Sequence, residues 1–178
     1  MSILEDLEKL KNRCDVWRVL NAHGLTGCVA EIGVDEGNFA ERVLEGWKGH
    51  TYFMVDLWAK QDLSVYDESD NFNFERTFQL ASQCAERHSD KVKIIRKLSV
   101  DAAKEFGDNQ LDWVWIDANH LYQPVLDDMN AWWRTVKNGG IFSGHDYYFP
   151  GVNKAVKEWM AEKQIKWSVS TGSWWSVK

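Results

Sequence analysis

Cys28-Val29-Ala30-Glu31-Ile32-Gly33-Val34-Asp35-Glu36-Gly37 runs a short apolar segment into one glycine and reaches a second four residues later. The run has the length and composition of a buried strand. Beyond it, Phe39, Ala40, Val43, Leu44 and Trp47 recur at the spacing of one helix face. Strand, glycine turn, helix is the order this implies. The same unit repeats outward: Thr51 to Val55 ends at Asp56, Val92 to Ile95 follows, Leu111 to Ile116 ends at Asp117, and Ile141 to Ser143 ends at His145 and Asp146. Between these runs, Phe74, Phe78, Ala81, Ala85 and His88 mark one helix. Val125, Met129, Trp132 and Val136 mark another, leading to Gly139 and Gly140. Pro150 and Gly151 open a last helix carrying Val152, Val156, Trp159 and Met160, and Lys166 to Lys178 reads as a hairpin around Thr171 and Gly172. Ile3, Leu7, Leu10, Cys14 and Trp17 predict a single N-terminal helix stopping near Gly24.

Strands that alternate with helices wind into right-handed βαβ units, so the expected class is α/β. The expected fold is a doubly wound, mostly parallel seven-stranded sheet with a C-terminal antiparallel hairpin. A chain of 178 residues fits one domain, with residues 1–24 as its N-terminal helix and 27–178 as its core. Such sheets bind ligands beyond the carboxyl ends of their strands. Three of the five parallel runs reach a carboxylate there, namely Asp56, Asp117 and Asp146. Trp58 to Asn73 is polar and aperiodic, and reads as a loop that closes over this edge.

A formal net charge of −6 weighs against a nucleic-acid partner, whose affinity would come from phosphate neutralisation, and favours a small-molecule substrate. Cys14, Cys28 and Cys84 form no metal or redox spacing and are expected to be reduced thiols. The first ten residues lack the pattern of a signal peptide, and no apolar stretch is long enough to span a bilayer. The expectation is a cytoplasmic protein without membrane contact. Eleven tryptophans suit a core, a cleft or a subunit interface equally, so a homo-oligomer is among the expectations. In each of the pairs Trp132-Trp133 and Trp174-Trp175, one ring should lie on a buried face.

The glycine turn carries Val34, Asp35 and Glu36 where a nicotinamide-binding turn would have its middle glycine. Two carboxylates there would repel a pyrophosphate but suit a cationic ligand bearing an amine and a sulfonium. Asp56 can accept the hydroxyl hydrogens of a ribose. The plainer alternative is that Gly33 and Gly37 make an ordinary tight turn and Asp56 caps the next segment. Asp117, His145 and Asp146 end neighbouring strands, and His120 follows Asp117 by three residues, near enough to reach the same point. Carboxylates gathered there favour hard cations such as Mg2+ or Mn2+, and a histidine can titrate near neutrality. Tyr122, Tyr147, Tyr148 and Phe149 surround this group, as pocket wall or as packing.

These motifs resemble class I S-adenosylmethionine-dependent methyltransferases, in particular a small subgroup related to macrocin O-methyltransferase and cephalosporin-hydroxylase-like proteins. E-I-G-V-x-x-G-x-F-A, V-D-L-W, I-D-A-N-H-x-Y and G-G-I-F-S-G-H-D-Y carry the likeness, which spans about Gly27 to Lys178. It implies a Rossmann-like fold and O-methylation of a sugar or natural-product hydroxyl. In the cofactor site it places Glu31, Gly33 and Gly37 at the methionine part, Asp56 at the ribose, Ser99 at the adenine edge, and Asp117 beside the donor. By the same likeness Asp117, His145 and Asp146 would hold a metal. His120 would act as the base, with Asp117 also catalytic. His145 departs from the acid-rich pair of metal-dependent relatives, and Ala118-Asn119 from their commoner glycine-acid pair. A nicotinamide oxidoreductase, a metal-dependent hydroxylase on the same fold, and a non-catalytic assembly module are the rival readings.

Overall fold

The seven-stranded sheet has the order β3-β2-β1-β4-β5-β7-β6. The strands are β1 (Cys28–Ile32), β2 (Thr51–Asp56), β3 (Val92–Arg96), β4 (Leu111–Ile116), β5 (Val136–Gly144), β6 (Trp167–Ser170) and β7 (Ser173–Val177). The first five pair in parallel, and β7 joins β5 and β6 antiparallel. The computed structural model describes residues 2–61 and 73–178. Most of the loop expected over the ligand edge, residues 62–72, lies outside the described residues.

Period-two alternation explains the two cores. In β4 every side chain is buried, because Val114 and Ile116 face one helical layer while Trp113 and Trp115 face the other. The first layer is α6 (Tyr122–Trp133) and α7 (Pro150–Lys163), which meet the sheet through Val125, Met129, Val156 and Trp159. The second contains α1 (Ile3–Glu8), α2 (Val16–Ala22), α3 (Asn38–Leu44) and α4 (Phe74–Arg87), packed through Leu7, Leu20, Val43 and Ala81. Each fully buried aliphatic side chain contributes about 1.5–3 kcal/mol on leaving water. Trp174 and Trp175 are both buried, one in each core, so adjacency in a strand places two rings on opposite faces. Trp132 is buried and Trp133 is partly so, wedged 5.3 Å from both Phe142 and Trp159.

The single N-terminal helix expected from the apolar stripe is two helices. Ser2 and Glu5 form a capping box on α1, which ends at Lys9. Asn12 is extended and its side-chain oxygen accepts from the Cys14 amide, starting a separate 3-10 turn over Arg13–Asp15. An asparagine that bonds its own downstream backbone competes with helix continuation, and the break delivers Arg13 toward the carboxyl edge of the sheet. Strand β5 begins at Val136, before the glycine pair at which the sequence placed its approach. A register shift against Leu111 to Trp113 absorbs the irregularity.

Candidate functional site

Backbone bonds continue past the strand ends and set the acidic residues side by side. The Asp117 amide donates to the Ile32 carbonyl at 2.7 Å, the His145 amide to Ile116 at 3.0 Å, and the Gly33 amide to Val55 at 2.9 Å. Gly33 has φ +85°, and a Cβ there would strike the Asp117 carbonyl and the Ala118 Cα. Only glycine lets the β1 and β4 tails cross this closely. Gly37, also at positive φ, is the N-cap of α3 and packs against Ala81 and Cys84 of α4.

A cavity of about 380 Å³ opens at this edge; Gly33, Asp56, Ser99 and Asp117 are in its wall. Asp56 is held rigidly: one carboxyl oxygen accepts from the Val34 and Asp35 amides at 2.9 and 3.1 Å, the other from Trp58 at 2.8 Å. Those bonds satisfy the capping alternative, and lone pairs remain on a carboxylate facing the cavity. Trp58 adopts φ +45°, a conformation costly for a bulky residue. Its ring nitrogen donates to the Asp35 carbonyl at 2.8 Å, and its own carbonyl accepts from Arg96 at 2.8 Å. Glu31 lies behind the wall, 1% exposed, accepting the Tyr52 hydroxyl hydrogen at 2.7 Å. Burial pushes both groups well above their ordinary pKa values.

Beside the cavity stand the residues that follow β4 and β5. The ligand atoms of Asp117, His120 and Asp146 lie within 4.8 Å of one another. His120 Nε2 is 2.8 Å from Asp146 Oδ2, and its ring stacks on Phe149 at 4.4 Å. His145, the residue the sequence placed in a metal set, is outside this trio. Its Nδ1 lies 3.1 Å from Asp146 and 3.6 Å from Asp117, and its Nε2 lies 3.0 Å from Arg13 Nη1. Hydrogen bonds from His120 and then His145 hold the Asp146 carboxyl well below the usual range. For His145, burial lowers the pKa, but the bonds to Asp117 and Asp146 outweigh it and favour the imidazolium up to about 9. The Arg13 contact opposes that, because a guanidinium has no acceptor and needs a hydrogen-free Nε2. The neutral Nδ1–H tautomer satisfies all three neighbours, so we assign it.

Three site residues escaped the sequence reading. Trp58 braces the β1 turn, and Arg13 reaches His145 across 132 residues. Asp128, in α6, lines the cavity at 5% exposure. An acid three residues after Val125 and four before Trp132 lies on the buried face of that helix, and this was the available signal for Asp128. Nothing local marks Arg13.

A mostly parallel sheet with an acid-rimmed cavity at its switch point and an acid-histidine cluster beside it defines an α/β protein whose candidate ligand site lies at the carboxyl edge of the sheet. A family model described as methyltransferase domain matches residues 30–147, and the chain belongs to that family. It is 33% identical over 147 residues to the uncharacterized protein R132 of Acanthamoeba polyphaga mimivirus, an alignment covering 75% of this chain and 61% of that protein. The chain thus spans about three-fifths of that relative. Among solved structures, the O-methyltransferase NovP is similar with a TM-score of 0.68 at 17% identity, covering 98% of this chain and 78% of that one. The O-methyltransferase from Bacillus cereus in complex with SAH is similar at 0.65 and 15%, covering 93% and 80%. The calicheamicin methyltransferase CalS11 is similar at 0.67 and 14%, covering 92% and 77%. At these identities the likeness is one of fold.

Proposed function

We propose that the chain transfers the methyl group of S-adenosylmethionine to a hydroxyl of an uncharged small molecule of sugar or natural-product type. The observation that carries this reading is the cavity wall, where the rigid Asp56 carboxylate and the acidic β1 turn meet beside the His120–Asp146 pair. Family membership supports methyl transfer, the O-methyltransferase neighbours support oxygen as acceptor, and the neighbour bound to SAH supports the donor. In this reading Asp56 holds the ribose and the Gly33 turn lies along the methionine part. Asp35, Glu36 and Asp117 place negative charge near the sulfonium. Attack is in line on the sulfonium methyl, and the protein contributes chiefly orientation and exclusion of water. His120 takes the hydroxyl proton while Asp146 orients the imidazole and stabilises its charged form.

Asp117, His120 and Asp146 also fit a divalent cation, since two carboxylate oxygens and one imidazole nitrogen converge at ligand spacing. Bound there, Mg2+ or Mn2+ would supply positive charge beside the forming alkoxide, and His120 would be its ligand rather than a base.

The test is calorimetric titration with S-adenosylmethionine and, separately, oxidised nicotinamide cofactor, followed by turnover on a panel of sugar and phenolic acceptors with magnesium or with chelator. His120→Ala should lower turnover about 10²- to 10⁴-fold while leaving donor affinity nearly unchanged. Loss of turnover in chelator assigns His120 to the metal; activity that survives chelation assigns it to the proton. Binding of the nicotinamide alone, or a fully active His120→Ala, refutes the reading.

A further inference from the structure

Each carboxylate oxygen of Asp117 and Asp146 has a polar neighbour, and His145 supplies that neighbour twice. Asp146 Oδ2 faces His120 at 2.8 Å, and Asp117 Oδ2 accepts the Trp115 ring N–H at 3.3 Å. The other two oxygens, Asp146 Oδ1 at 3.1 Å and Asp117 Oδ1 at 3.6 Å, face His145 Nδ1. One imidazole nitrogen therefore meets both acids. Whether such a nitrogen can ligate a metal is decided by the group behind the ring. A ligand histidine keeps its far N–H on an acceptor, a carboxylate or a carbonyl, and its near nitrogen is then free of hydrogen. Behind His145 stands a donor instead, the Arg13 guanidinium, with Nη1 3.0 Å from Nε2.

Arg13 is held there by the chain around it. The Arg13–Asp15 turn starts from the Asn12 cap, and the guanidinium carbon lies 5.8 Å from the centre of the Phe39 ring. Phe39 in turn stacks on Trp115 at 4.6 Å. Arg13 Nε is buried and meets no acceptor among the described residues, a cost that the contacts with Phe39 and His145 must offset. A guanidinium carries donors only and is not deprotonated in a protein. It admits one form of the neutral ring, with the lone pair on Nε2 and the hydrogen on Nδ1.

Building on the cation reading of Asp117, His120 and Asp146 given above, we propose that Arg13 sets which metal this cluster takes. By fixing the hydrogen on Nδ1 it keeps His145 from ligating, which leaves one nitrogen and two carboxylates, a set for a hard cation such as Mg2+ or Mn2+. Without Arg13 the ring is free to carry its hydrogen on Nε2 and offer Nδ1. Two imidazoles with two carboxylates suit Zn2+. The competing explanations are that Arg13 only fastens the N-terminal segment to the sheet edge, or only weakens every cation by its charge.

The experiment titrates Zn2+ and, separately, Mn2+ by calorimetry at pH 8, with neither donor nor acceptor present. The proteins are metal-stripped wild type, Arg13→Ala, Arg13→Lys and the double variant Arg13→Ala/His145→Phe. Arg13→Ala should tighten Zn2+ by about 10- to 100-fold and Mn2+ by much less. Arg13→Lys keeps a donor and should match wild type, and the double variant should lose the zinc gain. Thermal melts without metal establish folding; if Arg13→Ala is unfolded, Arg13→Met replaces it and keeps an apolar stem beside Phe39. Equal gains for both metals reveal a charge effect alone and overturn the inference. A zinc gain that survives in the double variant, or no gain at all, does the same. A wild type that binds neither metal beside an Arg13→Ala that captures Zn2+ supports the inference and removes a resident cation from the proposed function. Binding to none of the proteins overturns both and leaves the methyl-transfer reading standing.

Discussion

Replacing Asp128 with Asn should stabilise the ligand-free protein at alkaline pH, and the size of the effect follows from burial. Loss of hydration raises the Asp128 carboxyl from 3.8 to about 7, with the Ser99 hydroxyl opposing and the Asp127 charge adding. The folded state therefore keeps a proton that the unfolded chain has released across that interval. Stability falls as pH rises from about 4 to 7 and is lowest above it. Roughly three units at about 1.4 kcal/mol each give a ceiling near 4 kcal/mol. Asparagine keeps the shape and never ionises, so about 1–3 kcal/mol should be recovered at pH 8.5. For a chain of this length that is a rise in Tm of about 3–9 °C. The assay is thermal and urea unfolding of wild type and variant between pH 5 and 8.5. The gain should shrink steadily toward pH 5. A variant no more stable than wild type at pH 8.5, or a gain independent of pH, would refute the claim that a buried charge is held at this position.

Gly33→Ala forces a Cβ into the Asp117 carbonyl at positive φ and should cost about 2–5 kcal/mol, measured by urea unfolding. A cost under about 1 kcal/mol would show that the β1 and β4 tails can separate. Glu41 joins α3 to α4 by bonding Arg87 at 2.6 Å and His88 at 3.2 Å, and the Arg87 bond leads in lowering its pKa to about 2. A depressed carboxylate stabilises above its unfolded value near 4.5 and loses that contribution as pH falls toward 2. Glu41→Gln should therefore cost about 0.5–1 kcal/mol at neutral pH, since Arg87 faces water, and nothing near pH 2. Arg13→Ala removes the donor facing His145 Nε2 and leaves the two carboxylates in control, so His145 should titrate at a higher pH than in the wild type. An NMR titration that finds the imidazole unchanged by the substitution would separate Arg13 from the His145 tautomer.

The sheet was legible because its strands are short apolar runs closed by glycine or aspartate, and burial on both faces leaves little else that such runs can be. The hairpin was legible at Thr171 and Gly172 for a similar local reason. What escaped depends on side-chain hydrogen bonds that periodicity does not encode. Asn12 interrupts an unbroken apolar stripe by capping a new turn. His145 was read from its strand-end position as a metal ligand, and its engagement by Arg13 is written in a segment 132 residues away. The wall positions of Asp56 and Asp117 follow from ladder geometry continued beyond the strands. That of Asp128 depends on how α6 faces α5 (Ser99–Ala102), which one sequence shows only as an acid on an apolar stripe.

The meeting of the two ends of the chain bears on when the acid-histidine cluster exists during folding. Ser170 bonds Leu7 across 163 residues and Arg13 bonds His145 across 132, while among the described residues those that wall the cavity fall between Ile32 and Asp128. Contacts so far apart in sequence close late, because the loop entropy must be spent before they give anything back. A chain emerging from the ribosome can thus shape the cavity well before His145 and Asp146 join Asp117 and His120, so the acid-histidine cluster waits on β5 and the strands after it.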